Sequence, residues 1–131
     1  MKCIEVVAAV FQDKNKNFFC ARRGNSGELA LKWEFPGGKI EKGESREEAL
    51  IREISEELLV SISVDEYIMT VEHQYPSFLL TMHVFKCSIQ YGSMKLTEHT
   101  DSKWLPASWL DEIDWAEADI PSIDKLKKDS L

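Results

Sequence analysis

The chain has 131 residues, 44% of them hydrophobic and 30% charged, proportions that exclude disordered, collagen-like and disulfide-scaffold architectures. Its 16 basic and 23 acidic residues leave a net charge of −7, which repels DNA and RNA and excludes polymeric nucleic acid as the main partner. The length suits one domain over residues 1–131; Val6 to Phe11 is far too short an apolar run for a membrane span, and Glu5 spoils a basic signal-peptide start. Cys3, Cys20 and Cys87 form no C-x-x-C pair and read as buried free thiols in a reducing compartment, so the expected location is cytoplasmic.

Cys3 to Phe11 and Phe18 to Arg22 are rich in Val, Phe and Ala and flank the polar stretch Gln12–Asn17, a pattern that predicts two strands joined by a hairpin-like turn. A second loop is expected at Gly24–Gly27. From about Ser45 to Leu58 the period changes: Leu50, Ile51, Ile54 and Leu58 recur at helical spacing. Ile62 to Val71 and Phe78 to Ile89 read as strands, broken at Tyr75-Pro76-Ser77. Lys103 to Leu105 adds a short strand. Pro106 opens a helix through Leu110, and Pro121 sits in the first turn of a closing helix to about Lys128. Strands with interspersed helices predict an α/β/α sandwich with a mixed central sheet.

The chemistry concentrates in Gly38 to Glu57. At about 100° per residue, Glu53, Glu56 and Glu57 share one helix face beside the apolar stripe. Like charges so placed destabilise a helix unless something compensates. A hard divalent cation does so, because Mg²⁺ takes oxygen ligands and is held by one or two carboxylates with substrate phosphates. Arg52, next to Glu53, is suited to orienting a neighbouring carboxylate through paired hydrogen bonds. Taken alone, an acidic helix of this kind also fits a solvated face. Gly38 and Gly43 have P-loop spacing, but Glu44 stands where that loop needs lysine, which excludes direct phosphate cradling.

With their spacing, these residues resemble the Nudix box, G-x5-E-x7-R-E-U-x-E-E-x-G-U, where U is a bulky aliphatic residue. Gly38, Glu44, Arg52, Glu53, Ile54, Glu56, Glu57 and Val60 stand at its positions. Leu59 occupies the box glycine. A leucine forced into the left-handed conformation costs about 1–2 kcal/mol, so the helix is expected to end by another route. The resemblance extends to the MutT-type branch of the Nudix hydrolases, which includes 8-oxo-dGTP diphosphatases and CTP pyrophosphohydrolase-like enzymes.

That resemblance implies a Nudix-type fold with the acidic helix at its site, and water attacking a nucleoside triphosphate to release nucleoside monophosphate and pyrophosphate. It implies Mg²⁺, with Mn²⁺ as a substitute, held by the Gly37 carbonyl, Glu53, Glu56, Glu57 and Glu98. Glu53 or Glu98 is then the proton acceptor, and Arg52 and Glu44 complete the catalytic set. Arg23 and Lys39 are the expected phosphate-side contacts, and Phe35 and Phe78 candidates for stacking on the base. Asp119 matches a base-reading position, but Asp before Ile120-Pro121 also reads as a helix cap. Oxidised guanine nucleotides such as 8-oxo-dGTP and cytosine nucleotides both suit such a reader. The other class kept open is a non-catalytic nucleotide-binding module that signals. A monomer or weak homodimer is expected. His73, His83 and His99 are not spaced as a zinc set.

Overall fold

Val7 to Phe11 and Phe18 to Ala21 are buried at every position in the computed structural model, which describes residues 2–130. Strands apolar on both parities must be covered on both faces, and the element order supplies the covers. It runs β1 (Lys2–Phe11), β2 (Asn17–Arg22), β3 (Trp33–Glu34), β4 (Gly37–Lys39), α1 (Arg46–Leu58), β5 (Ser61–Gln74), β6 (Phe78–Tyr91) and β7 (Asp101–Pro106), closing with α2 (Ile120–Asp129). Two 3₁₀ turns, Ala107–Glu112 and Glu117–Asp119, lie between β7 and α2.

The strands form a mixed sheet in the order β4-β1-β6-β5, with β1 and β6 parallel, and a separate antiparallel sheet in the order β3-β2-β7. Alternation divides the core. Val7, Ala9 and Phe11 pack with Phe19, Ala21 and the α1 residues Ala49, Leu50, Ile54 and Leu58. Ala8, Val10, Phe18 and Cys20 face Leu110, Trp115, Ile123 and Leu126 on the opposite side. The result is the expected layered α/β arrangement. Each large side chain buried this way contributes about 1.5–3 kcal/mol.

The expected hairpin-like turn joins the first two strands, closed by Asp13 N–H to the Asn17 carbonyl at 2.9 Å, but the strands do not go on to pair as a hairpin. Gln12 and Phe18 make an isolated bridge, and β1 and β2 then diverge into different sheets. β1 is instead paired over its whole length with β6, from Lys2 opposite Phe78 to Phe11 opposite Cys87. The expected helix after Pro106 is a 3₁₀ turn. Of the three thiols, Cys20 and Cys87 are buried, and burial pushes each up to about 12; Cys3 is exposed, contrary to expectation. Among the described residues no helix is long and apolar enough to cross a membrane.

Helix α1 starts in a reciprocal cap: Ser45 Oγ accepts from Glu48 N–H at 3.0 Å, and Glu48 Oε1 accepts from Ser45 N–H at 2.8 Å. Its buried arc is rotated from the predicted stripe. Ile51 is exposed, while Ala49 and the charged Glu57 are buried. Its end also corrects the expectation, because Leu59 does adopt the left-handed conformation, at φ 58° and ψ 36°. The loop before β7 makes this possible by taking up the last carbonyls: Lys95 N–H donates to Leu58, Thr97 N–H to Glu57 and Thr97 Oγ1 to Glu56. Leu59 is 54% exposed, so little burial offsets the strain. We expect Leu59→Gly to stabilise the fold by about 0.5–1 kcal/mol, the left-handed cost less the added backbone entropy of glycine. A higher urea midpoint at an unchanged slope would show it.

Candidate active site

Strand β4 pairs antiparallel with β1 so closely that a Cβ at Gly37 would overlap the Val7 carbonyl, and one at Gly38 would overlap the Glu53 carboxylate. These two glycines let α1 lay its acidic face against the sheet. Glu57 lies on the buried arc of the helix, where its Oε1 accepts from Gly37 N–H at 3.1 Å. Burial, then the charges of Glu34, Glu53 and Glu98, push its carboxyl up to about 9 against that one hydrogen bond. Glu53 is also raised, by burial first, while Arg52 opposes the shift.

Arg52 organises the other side of this face. Its Nε and Nη2 donate to the two oxygens of Glu44 at 2.6 and 2.9 Å, Nη1 to Glu53 Oε1 at 2.9 Å and to Glu56 Oε1 at 3.0 Å, and Nη2 to the Lys39 carbonyl at 3.0 Å. The paired bonds from Arg52, with Glu41 N–H, hold the Glu44 carboxyl down to about 2. One guanidinium thus fixes three carboxylates by charge-assisted bonds.

Beside this cluster opens a cleft of about 580 Å³, within the range of small-molecule sites. Glu53, Glu57, Glu98, Arg23, Gly37 and Lys39 line its polar part. Ile4, Val6, Leu29, Phe35, Phe78, Leu80 and Met82 line its apolar part, with Tyr75 and Asp119. Phe35 packs on Trp115 at 4.9 Å between ring centroids and Phe78 on Tyr75 at 5.0 Å. Tyr75 in turn accepts from Ala118 N–H at 2.9 Å. The structure therefore joins most of the predicted residues at one cleft. Glu44, Arg52 and Glu56 do not line it; the Arg52 guanidinium joins Glu44 and Glu56 to Glu53.

Asp119 is buried at the cleft and makes no side-chain cap bond to α2, which removes the capping alternative. Its Oδ1 meets Phe35 N–H only at 3.5 Å. Burial first, then the Glu34 charge, raises this carboxyl well above its ordinary value, against Phe35 N–H and Arg23. Such a group holds its proton more tightly folded than unfolded. The contribution of Asp119 to stability should therefore fall as pH rises above the unfolded value near 4. Asp119→Asn removes that contribution, and thermal melts should show its advantage over wild type growing as pH rises above about 4.

Glu34 was not anticipated. It lines the cleft, pairs with Arg23 through Oε1 at 3.0 Å and meets His99 Nε2 through Oε2 at 2.9 Å. Its only sequence signal was its place between Trp33 and Phe35, because its partners lie 11 and 65 residues away.

Among the described residues no three His, Cys, Asp or Glu side chains converge as a metal cage. Glu53 and Glu56 turn to Arg52, and Glu57 turns to Gly37 N–H. The donor chemistry nonetheless fits a hard cation: Glu53, Glu57 and Glu98 present only oxygens to one cleft, and Glu57 is buried among like charges.

A family model described as NUDIX domain matches residues 6–125. The chain is 33% identical to a CTP pyrophosphohydrolase of Escherichia coli K12 over 124 residues, covering 95% of this chain and 91% of that one. It is 30% identical to the 8-oxo-dGTP diphosphatase of the same strain over 128 residues, covering 98% and 99%. Its fold is similar to the solution structure of a MutT protein, family Nudix hydrolase, from methicillin-resistant Staphylococcus aureus 252. The TM-score is 0.79 at 40% identity, covering 98% of this chain and 99% of that one.

Proposed function

The chain belongs to the Nudix hydrolase family, and on that footing we propose that it is a Mg²⁺-dependent nucleoside triphosphate pyrophosphohydrolase acting on 8-oxo-dGTP or on cytosine nucleotides. The observation that carries this reading is one cleft lined by Glu53, Glu57 and Glu98 together with apolar side chains and the buried Asp119. A triphosphate needs the first and a nucleobase the second.

Glu53, Glu56, Glu57, Glu98 and the Gly37 carbonyl are the residues to hold the cation, with Mn²⁺ a substitute. When bound, it offsets the phosphate charge and makes the attacking water more acidic. Arg23 and Lys39 bind phosphate oxygens. Glu53 or Glu98 takes the proton from water as its oxygen attacks phosphorus and the α–β anhydride bond breaks. Nucleoside monophosphate and pyrophosphate leave. Arg52 and Glu44 hold Glu53 in orientation, and Phe35 and Phe78 flank the base.

Asp119 gives the base selectivity its chemical form. A protonated carboxyl carries one O–H donor beside one carbonyl acceptor. Cytosine answers with N3 and the N4 amino group, and 8-oxoguanine with O6 and the N7–H that oxidation creates. Unmodified guanine presents acceptors at both O6 and N7 and leaves the carbonyl unanswered. The names of the two Escherichia coli relatives agree with both candidate substrates.

Pyrophosphate release with Mg²⁺ from 8-oxo-dGTP, dGTP, CTP, dCTP and 5-methyl-dCTP, compared by kcat/KM, tests the reading. Preference for 8-oxo-dGTP over dGTP, or for the cytosine nucleotides, supports it and selects the branch. Tight binding without turnover on the whole panel would overturn it in favour of a signalling module.

A further inference from the structure

His99 is not part of the cleft wall, yet it touches a residue that is. Its side chain is 4% exposed, and Nε2 lies 2.9 Å from Glu34 Oε2. An ionised carboxylate only accepts, so Nε2 carries the hydrogen and donates it. The other Glu34 oxygen accepts from Arg23 Nη1 at 3.0 Å. One carboxylate therefore joins the end of β2 to the segment before β7.

That segment carries Glu98 and is stitched at both ends. Thr97 N–H donates to the Glu57 carbonyl at 3.1 Å and Thr100 N–H to the Arg22 carbonyl at 2.9 Å. Between these stitches, His99 fastens the middle to β3. Its Nδ1 is buried without a partner among the described residues, so the bond from Nε2 to Glu34 is the side-chain contact through which the ring acts.

We propose that His99 is a positioning residue: by donating to Glu34 it holds that carboxylate on Arg23 and keeps the Glu98-bearing segment in place at the cleft. The inference rests on the functional reading above, in which Arg23 meets phosphate and Glu98 faces the reacting atoms.

His99→Gln and His99→Leu test it, since the glutamine amide nitrogen can occupy the place of the ring Nε2 and leucine supplies no donor. For His99→Leu the expected result is a kcat lowered about 10–100-fold, with Tm lowered by no more than the loss of one hydrogen bond to a carboxylate accounts for. KM should rise by less than kcat falls, because Arg23 loses part of its hold on phosphate while the apolar base cleft is intact. Amide exchange at residues 97–100 should quicken in His99→Leu, and His99→Gln should restore most of the kcat and the protection. A His99→Leu kcat within about twofold of wild type overturns the proposal, whatever the exchange shows. So does an equal loss in both variants, or a fall in Tm larger than that one bond accounts for. If wild type turns over none of the nucleotides, the hydrolase reading fails, and the exchange comparison still decides: equal protection in wild type and His99→Leu overturns the clamp.

Discussion

Glu53→Gln lowers kcat by about 10³–10⁴-fold at saturating Mg²⁺, with the thermal midpoint nearly unchanged. The size of the effect follows from what the substitution removes. Glu53 stands at the cleft under Gly38, where a single added Cβ would collide with it, so its carboxylate cannot be replaced in position by a neighbour. Glutamine has the same shape and its carbonyl still accepts from Arg52 Nη1. It offers a cation a weaker neutral oxygen, however, and cannot take a proton from water. The fold is spared because Arg52 keeps both bonds to Glu44, its bond to Glu56 and its bond to the Lys39 carbonyl. Initial rates of pyrophosphate release, beside a circular-dichroism melt, separate the two effects. Wild-type turnover in this variant would remove Glu53 from the catalytic role.

What could be read in advance divides along the range of the interactions involved. The acidic helix and its box were legible because helical period and residue spacing are local properties, and Glu53 and Glu57 come to the same cleft as that spacing implies. The exposed Ile51 and buried Glu57 were not, since the rotation of the buried arc is set by the approach of β4 at Gly37. The split into two sheets was hidden by a polar connection that reads like any hairpin turn. The true partner of β1 begins at Phe78. Asp119 precedes Ile-Pro, a local helix-start signal, but tertiary packing turns its carboxyl to Phe35 N–H instead. The pairing of Glu34 with Arg23 and His99 could not be read at all, because it depends on β3 pairing with β2 and on the return of the chain before β7. The left-handed Leu59 likewise depends on Lys95 and Thr97 capping the helix from across the loop.

Glu57→Gln gives two opposite effects: activity falls by about 10³-fold or more, while stability without divalent metal rises. The buried Glu57 carboxylate has Glu34, Glu53 and Glu98 as like-charged neighbours and one hydrogen bond from the backbone, that of Gly37 N–H. An amide at this position keeps the acceptor for Gly37 N–H and, near neutral pH, removes the proton uptake that folding imposes on a carboxyl pushed up to about 9. A gain of about 1 kcal/mol corresponds to about 3–6 °C in a chain of this length. Ligand linkage supplies the control: whatever binds the native state alone raises Tm with its concentration. Titrating Mg²⁺ should therefore lift the wild-type Tm and leave that of Glu57→Gln nearly flat, so the two curves converge or cross. A variant less stable than wild type without metal would show that Glu57 holds the fold together through contacts its charge does not disturb. Equal Mg²⁺ shifts in both proteins would place the cation on other carboxylates. Rising metal-free stability with a lost Mg²⁺ response is the outcome that ties the buried charge of Glu57 to cation binding, since no purely structural role for the carboxylate predicts both.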